Sequence, residues 1–286
     1  MAKPVVITAD STCDLSPELI KKYDIGIIPL YVRLGEDEYL DGVNITPDDI
    51  YKWSDETEKT PGTAAPSVND IMNILKTYDA DDYIIFTISA SMSSCYSNCM
   101  LAAEELAMED HIHVINSKNL STGIGLLIIE AAQMAENGKS AAEITDYIEK
   151  LIPRVRASFV VETLTYLYRG GRCSGVAAYF GNALKLHPRI AVVDGGMRPE
   201  NKYRGFPQKY ISDYVKDMED ALKSAKPERV FITHSGCSPE LVIMVKDYLT
   251  KMERFGEILE TRAGSVVSSH CGPGTLGVLF IDKEQE

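Results

Sequence analysis

The sequence predicts an α/β protein, with an N-terminal α/β domain built on a parallel sheet and a C-terminal α+β domain. Three observations carry this. Apolar runs at residues 5–8, 83–88 and 112–115 alternate with helical segments, and strand–helix alternation builds a helix-covered parallel sheet. Past residue 150 the pattern changes, with two apolar runs flanking Asp194-Gly195-Gly196 as a hairpin. Charge shifts at the same place: residues 1–150 hold 10 basic and 26 acidic side chains, whereas residues 151–286 hold 19 and 16. Domains are therefore expected at 1–153 and 154–286.

The elements follow in order. Residues 5–8 form a strand that ends in Asp10-Ser11-Thr12. Ser16-Pro17-Glu18 opens a helix, with Ser as N-cap and Pro at the first helical position. Residues 25–34 read as a second strand. Thr46-Pro47-Asp48-Asp49 starts a helix with acidic side chains at its positive end. Residues 54–66, polar and carrying two prolines, read as a loop. Ser67 with Asp70 resembles a capping box. The strand at 83–88 leads through a polar run at 89–94 into a helix reaching Met108. The strand at 112–115 precedes helices at 121–135 and 140–150.

The C-terminal part opens with a strand at 159–161 and a short helix broken at Arg169-Gly170-Gly171-Arg172. A helical stretch at 175–186 precedes the hairpin strands, 190–193 and 197–203. A long helix at 207–224, a strand at 229–233, a helix at 239–252 and a strand at 258–261 come next. The loop His270-Cys271-Gly272-Pro273-Gly274 leads to a last strand at 276–281.

Composition excludes several classes. The 286 residues are 45% hydrophobic and 25% charged, enough for a large core without disulfide or metal staples. A net charge of -13 argues against a nucleic-acid partner, because phosphates demand a positive footprint. No signal peptide is visible, and the longest apolar stretch, near residues 123–132, is too short to span a bilayer. The six cysteines form no CxxC pair and read as reduced thiols in a cytoplasmic protein.

Ligands of parallel α/β sheets bind beyond the carboxyl ends of the strands. Three hydroxyl-rich segments are expected there: Asp10-Ser11-Thr12, Thr63-Ala64-Ala65-Pro66-Ser67 and residues 89–94. Each taken alone is what a turn or an N-cap requires. Together, beside helix N-termini, they also suit a carboxylate or phosphate. Arg169-Gly170-Gly171-Arg172 reads either as a solvated loop or as an anion grip, and His270 either as a structural group or as part of a site. Thr233-His234-Ser235-Gly236-Cys237 reads as a second ligand loop or as a turn into the next helix. There is no GxGxxG, no Walker A, no HExxH and no GxSxG, and the five histidines form no metal-ligand cluster. No metal and no cofactor are expected.

In order along the chain, these segments resemble the DegV family of bacterial lipid-binding proteins. Asp10-Ser11-Thr12-Cys13-Asp14-Leu15 is similar to the family's opening motif, and Thr63–Ser67 to its Thr-Ser-x-Pro-Ser loop. Ser93-Ser94-Cys95-Tyr96-Ser97 resembles Ser-Gly-Thr-Tyr-x-Ser. Asn116-Ser117 with Gly123-x-Gly125 resembles Asp-Ser…Gly-x-Gly. Leu167-Tyr168-Arg169-Gly170-Gly171-Arg172 resembles Leu-x-x-Gly-Gly-Arg, and His270-Cys271-Gly272-Pro273-Gly274 resembles His-x-Gly-Pro-Gly. Ala64, Ser94, Cys95 and Asn116 depart from the pattern, as does His187-Pro188, where the family has Lys-Pro.

The resemblance implies a two-domain protein holding one long-chain fatty acid, such as palmitate, between its domains. It places the carboxylate at Thr63, Ser93, Ser94 and His270, with the tail in an apolar cavity. It further implies a carrier without catalytic residues, which presents the carboxyl group to a fatty acid kinase for acyl phosphate formation. Arg172 and Arg204 are the expected partner-binding residues. The alternative is a hydrolase or phosphotransferase acting on an acyl substrate through the same hydroxyls and His270.

Overall fold

The computed structural model describes residues 3–173, 175 and 186–284. The first sheet is all parallel. Strand β1 (Lys3–Asp10) lies between β2 (Gly26–Ile28) and β6 (Ala80–Thr87), and β6 pairs with β7 (Ile112–Asn116), in the order β2-β1-β6-β7. Helix α1 (Pro17–Lys22) connects the first two strands, with the Ser16 hydroxyl accepting from the Leu19 amide. The expected parallel, helix-covered sheet is present.

Two expectations near it are corrected. Residues 25–34 are two strands. The chain leaves β2 at Ile28, where Pro29 has no N–H to continue a ladder, and restarts as β3 (Tyr31–Leu34). Residues 54–66 are not all loop. Helix α2 (Pro47–Thr57) runs into them, and β5 (Gly62–Ala64) pairs with β3, placing Val32 opposite Thr63. With β4 (Asp37–Leu40) these form a small antiparallel sheet, β4-β3-β5. Gly62-Thr63-Ala64 is too short to signal a strand by alternation; its partner, reached across a helix, makes it one.

Both Ser67 with Asp70 and Ser140 with Glu143 form capping boxes, opening α3 (Val68–Leu75) and α6 (Ala141–Leu151). Helix α4 (Cys95–Glu105) follows β6, and α5 (Thr122–Glu136) follows β7.

The second sheet is mixed, in the order β10-β9-β8-β13-β11-β12. It comprises β8 (Val155–Val160), β9 (Leu186–Val193), β10 (Gly196–Arg204), β11 (Arg229–His234), β12 (Glu257–Arg262) and β13 (Leu276–Ile281). Only β11 and β12 run parallel. The expected hairpin is β9–β10, turning at Asp194-Gly195. Helix α7 (Thr165–Gly170) follows β8. The helical stretch expected at 175–186 lies outside the described residues, apart from Gly175 and Leu186, which begins β9.

The single helix expected at 207–224 is two, α8 (Pro207–Asp217) and α9 (Glu219–Lys223). The chain tightens at Met218, whose amide bonds the Val215 carbonyl three residues back, and its buried sulfur meets Ser158. Helix α10 (Pro239–Lys251) follows β11. His270 is not in a loop: Ser265–Cys271 is helix α11.

Helix α5 joins the two sheets. Residues 122–132 are all buried, and the helix packs against β1 and β6 as well as β8 and β13. A helix apolar all round has to be enclosed. At its far end Glu130 accepts from Lys226 at 2.8 Å and Tyr147 at 3.0 Å and pairs with Arg229, whose other nitrogen reaches Gln133 at 2.9 Å. Burial alone would raise the Glu130 carboxyl. The two cations outweigh it and hold the group below its ordinary value. Among the described residues no helix is long and apolar enough to cross a membrane.

Candidate functional site

A cavity of about 350 Å³ lies between the two sheets. Leu30, Ile88, Met92, Phe159, Leu167 and Leu279 give it apolar walls drawn from both halves of the chain. Thr63, Ser93, Ser94, Arg172 and His270 line the same cavity. All four residues expected at the carboxylate are therefore brought to one space.

Each arrives on a different element. Thr63 is the middle residue of β5, and its hydroxyl lies 2.8 Å from His270 Nε2, across 207 positions of sequence. Ser93 ends the polar run after β6. Its hydroxyl oxygen accepts from the Cys95 amide at 3.3 Å, leaving its proton to donate. Ser94 occupies the N-cap of α4, but its side chain makes no capping bond. The Asn98 amide donates to the Pro66 carbonyl at 2.8 Å and so ties α4 to the Thr63 loop.

The placement of hydroxyl segments differs from expectation in one respect. Asp10-Ser11-Thr12 and residues 89–94 lie at carboxyl ends of the parallel sheet, whereas Thr63 belongs to the small antiparallel one. Asp10 is consumed internally. Its carboxyl accepts from Ile88 N at 2.7 Å and from Thr12, clamping β1 to the end of β6.

Helix α11 carries His270, and its N-terminus is held from afar. Asp14 accepts from Gly264 N at 2.8 Å and from the Ser121 hydroxyl; Asp41 accepts from Ser265 N at 2.7 Å and from Ser11 at 2.8 Å. Sequence reasoning assigned Asp14 and Asp41 no role. Nothing local marks what they do, since their partners lie 250 and 224 positions away. Burial pushes both carboxyls up, Asp14 to about 8, against the Ser121 and Gly264 donors.

Arg172, expected on a docking surface, lines the cavity, and its guanidinium donates to the Gly170 carbonyl at 2.8 Å. Arg204 does not join it: it ends β10, exposed, outside the cavity lining. Burial, reinforced by Arg172, lowers His270 to about 4, so the imidazole is neutral at pH 7. His234 and Ser235 also line the cavity. Ser235 is locked by the Thr275 amide at 3.1 Å and the Gly272 carbonyl at 2.5 Å, so this segment is turn and wall together.

The arrangement suits binding better than turnover. A nucleophile is activated by a base that a third group orients. His270 Nδ1 has no partner among the described residues. Burial pushes the thiols of Cys237 and Cys271 up to about 12, which makes them poor nucleophiles. Among the described residues no cluster of His, Cys, Asp and Glu could hold a metal ion. A largely apolar cavity lined by hydroxyls, the imidazoles of His234 and His270 and one guanidinium is what an amphiphile with an anionic head requires.

Fold and site thus define an α/β binding protein with its cavity between the parallel and the mixed sheet. The profile described as "Uncharacterised protein, DegV family" matches residues 4–283, and the chain belongs to the DegV family. It is 31% identical over 281 residues to a DegV domain-containing protein of Clostridium perfringens, covering 98% of this chain and 99% of that one. It is 31% identical over 284 residues to a protein of Thermotoga maritima named fatty acid-binding protein, covering 96% of each. The solved structure described as "Fatty Acid Binding of a DegV family Protein from Thermus thermophilus" superposes with a TM-score of 0.90 at 28% identity, covering 98% of this chain and all of the other. Both the Thermotoga protein and the Thermus structure are named for fatty-acid binding.

Proposed function

We propose that this protein binds one long-chain fatty acid in the cavity between its sheets and presents the carboxyl group to a fatty acid kinase in the cytoplasm. The observation that carries the reading is the Thr63–His270 pair set in a mainly apolar cavity that Ser93, Ser94 and Arg172 also line. A buried carboxylate has to have its lone pairs satisfied, and these hydroxyls with the Arg172 guanidinium meet that need. The tail supplies affinity, at about 0.8 kcal/mol per buried CH₂. The Thermotoga and Thermus relatives support the ligand class.

In this reading residues 1–153 form a domain supplying the head-group hydroxyls, and residues 154–286 a domain supplying His270, Arg172 and the other wall. Arg204, exposed at the end of β10, and Arg172, whose neighbour Cys173 bridges Met197 near the start of that strand, are the partner contacts in this reading. Native mass spectrometry of protein purified from bacteria tests it. The expected spectrum carries one fatty acid per chain. Ligand-free protein that ignores added palmitate would refute the reading. Arg204→Ala is expected to keep palmitate affinity while losing kinase-dependent acyl phosphate formation.

A further inference from the structure

We propose that Gly170 positions His270 as its Nε2–H tautomer, so that Thr63 turns its hydroxyl proton toward an acceptor-only head group such as a carboxylate. This deepens the fatty-acid reading and rests on it.

The two glycines of Arg169-Gly170-Gly171-Arg172 serve different needs. Gly171 sits at φ +67, the left-handed cap that ends α7. Gly170 has ordinary helical backbone, so its lack of a side chain answers to a neighbour. A Cβ placed there would lie 2.5 Å from His270 Nδ1 and 3.5 Å from Cγ and Cε1. The edge of the imidazole therefore rests on the Gly170 α-carbon.

That contact decides where the ring carries its proton. Nδ1 is buried and has no hydrogen-bond partner among the described residues. A proton on Nδ1 would be a buried donor with no acceptor, which proteins avoid. A bare lone pair facing a Cα–H meets a weak favourable contact instead. The proton of the neutral ring then belongs on Nε2, which donates to Thr63 Oγ1 at 2.8 Å. Thr63 accepts that bond, and its own proton is left to point elsewhere. The cavity that Thr63 lines is where it points. A carboxylate, which only accepts, takes this proton; an ammonium, which only donates, cannot use it and competes with the imidazole for the Thr63 oxygen. Arg172, bonded to the Gly170 carbonyl, adds positive charge to the same place.

The test combines tautomer and head-group readouts on the full chain. Long-range proton–nitrogen NMR of ¹⁵N-histidine-labelled protein reports the His270 tautomer, and calorimetry compares palmitate with hexadecylamine. The expected wild type shows Nε2–H and binds palmitate at least about thirtyfold more tightly than the amine. Gly170→Ala is expected to shift the ring, change the tautomer signal and weaken palmitate about tenfold. Gly171→Ala is expected to lower the melting temperature while leaving the tautomer signal alone. An Nδ1–H ring in the wild type, or Gly170→Ala with unchanged tautomer and affinity, overturns the proposal. Should Gly170→Ala fail to fold, the wild-type tautomer and the amine comparison decide it. If the wild type holds the Nε2–H ring yet binds no fatty acid, the ligand reading falls and the positioning of His270 stands.

Discussion

Replacing Thr63 with valine tests the head-group site at its centre. Valine keeps the branched shape of threonine and removes only the hydroxyl, so β5 and its pairing with Val32 are preserved. Two interactions go with it. His270 Nε2 loses its partner at 2.8 Å, and a bound carboxylate loses one donor. A hydrogen bond to a charged group contributes roughly 2 kcal/mol net. At 1.4 kcal/mol per factor of ten, Thr63→Val should weaken palmitate about thirtyfold, as read by calorimetry on ligand-stripped protein. The loss should fall on the dissociation rate, since the apolar route into the cavity is unchanged. A folded variant that binds palmitate within a factor of two of wild type refutes the assignment of Thr63 to the carboxylate.

Two further predictions concern stability. In the folded protein His270 titrates near 4, and its ordinary value is 6.5. Above pH 6.5 both folded and unfolded chains hold it neutral. As pH falls from 6.5 toward 4 the unfolded chain takes up a proton that the folded one refuses, removing roughly 3 kcal/mol of stability. Urea unfolding of ligand-free wild type and His270→Gln at pH 7.5 and pH 4.5 should show wild type losing more; an equal loss in both argues against burial as the cause. Glu130→Gln, which leaves Arg229 and Lys226 with only Glu257 at 3.5 Å and Glu228 at 3.7 Å as carboxylate partners, should cost roughly 2–3 kcal/mol, at or below the lower end for breaking a buried pair. Denaturant midpoints read this directly, and a change under 1 kcal/mol would show that the cluster is solvated in solution.

Much of this protein is written locally. The strand–helix alternation of the first half, the capping boxes at Ser67 and Ser140, the β9–β10 hairpin at Asp194-Gly195 and the enclosed α5 all rest on signals within a few residues of one another. Periodicity and caps are short-range physics, so sequence carries them. Thr63, Ser93, Ser94 and His270 were nameable because short motifs around them resemble those of the family.

What the sequence could not hold is who meets whom. Gly62–Ala64 becomes a strand only because β3 lies beside it. Ser265-Val266-Val267-Ser268-Ser269-His270-Cys271, poor in strong helix formers, becomes α11 with Asp14 and Asp41 satisfying its first amides from the other half of the chain. Arg172, though exposed, lines the cavity while Arg204 stays outside, and Gly170 meets an imidazole a hundred positions away. By itself the sequence determined the parallel sheet, the caps and the hydroxyl-rich loops. Tertiary structure alone decided that Thr63 and His270 touch and that α11 is a helix. Those outcomes depend on packing between segments some two hundred residues apart, and no local pattern encodes such a distance.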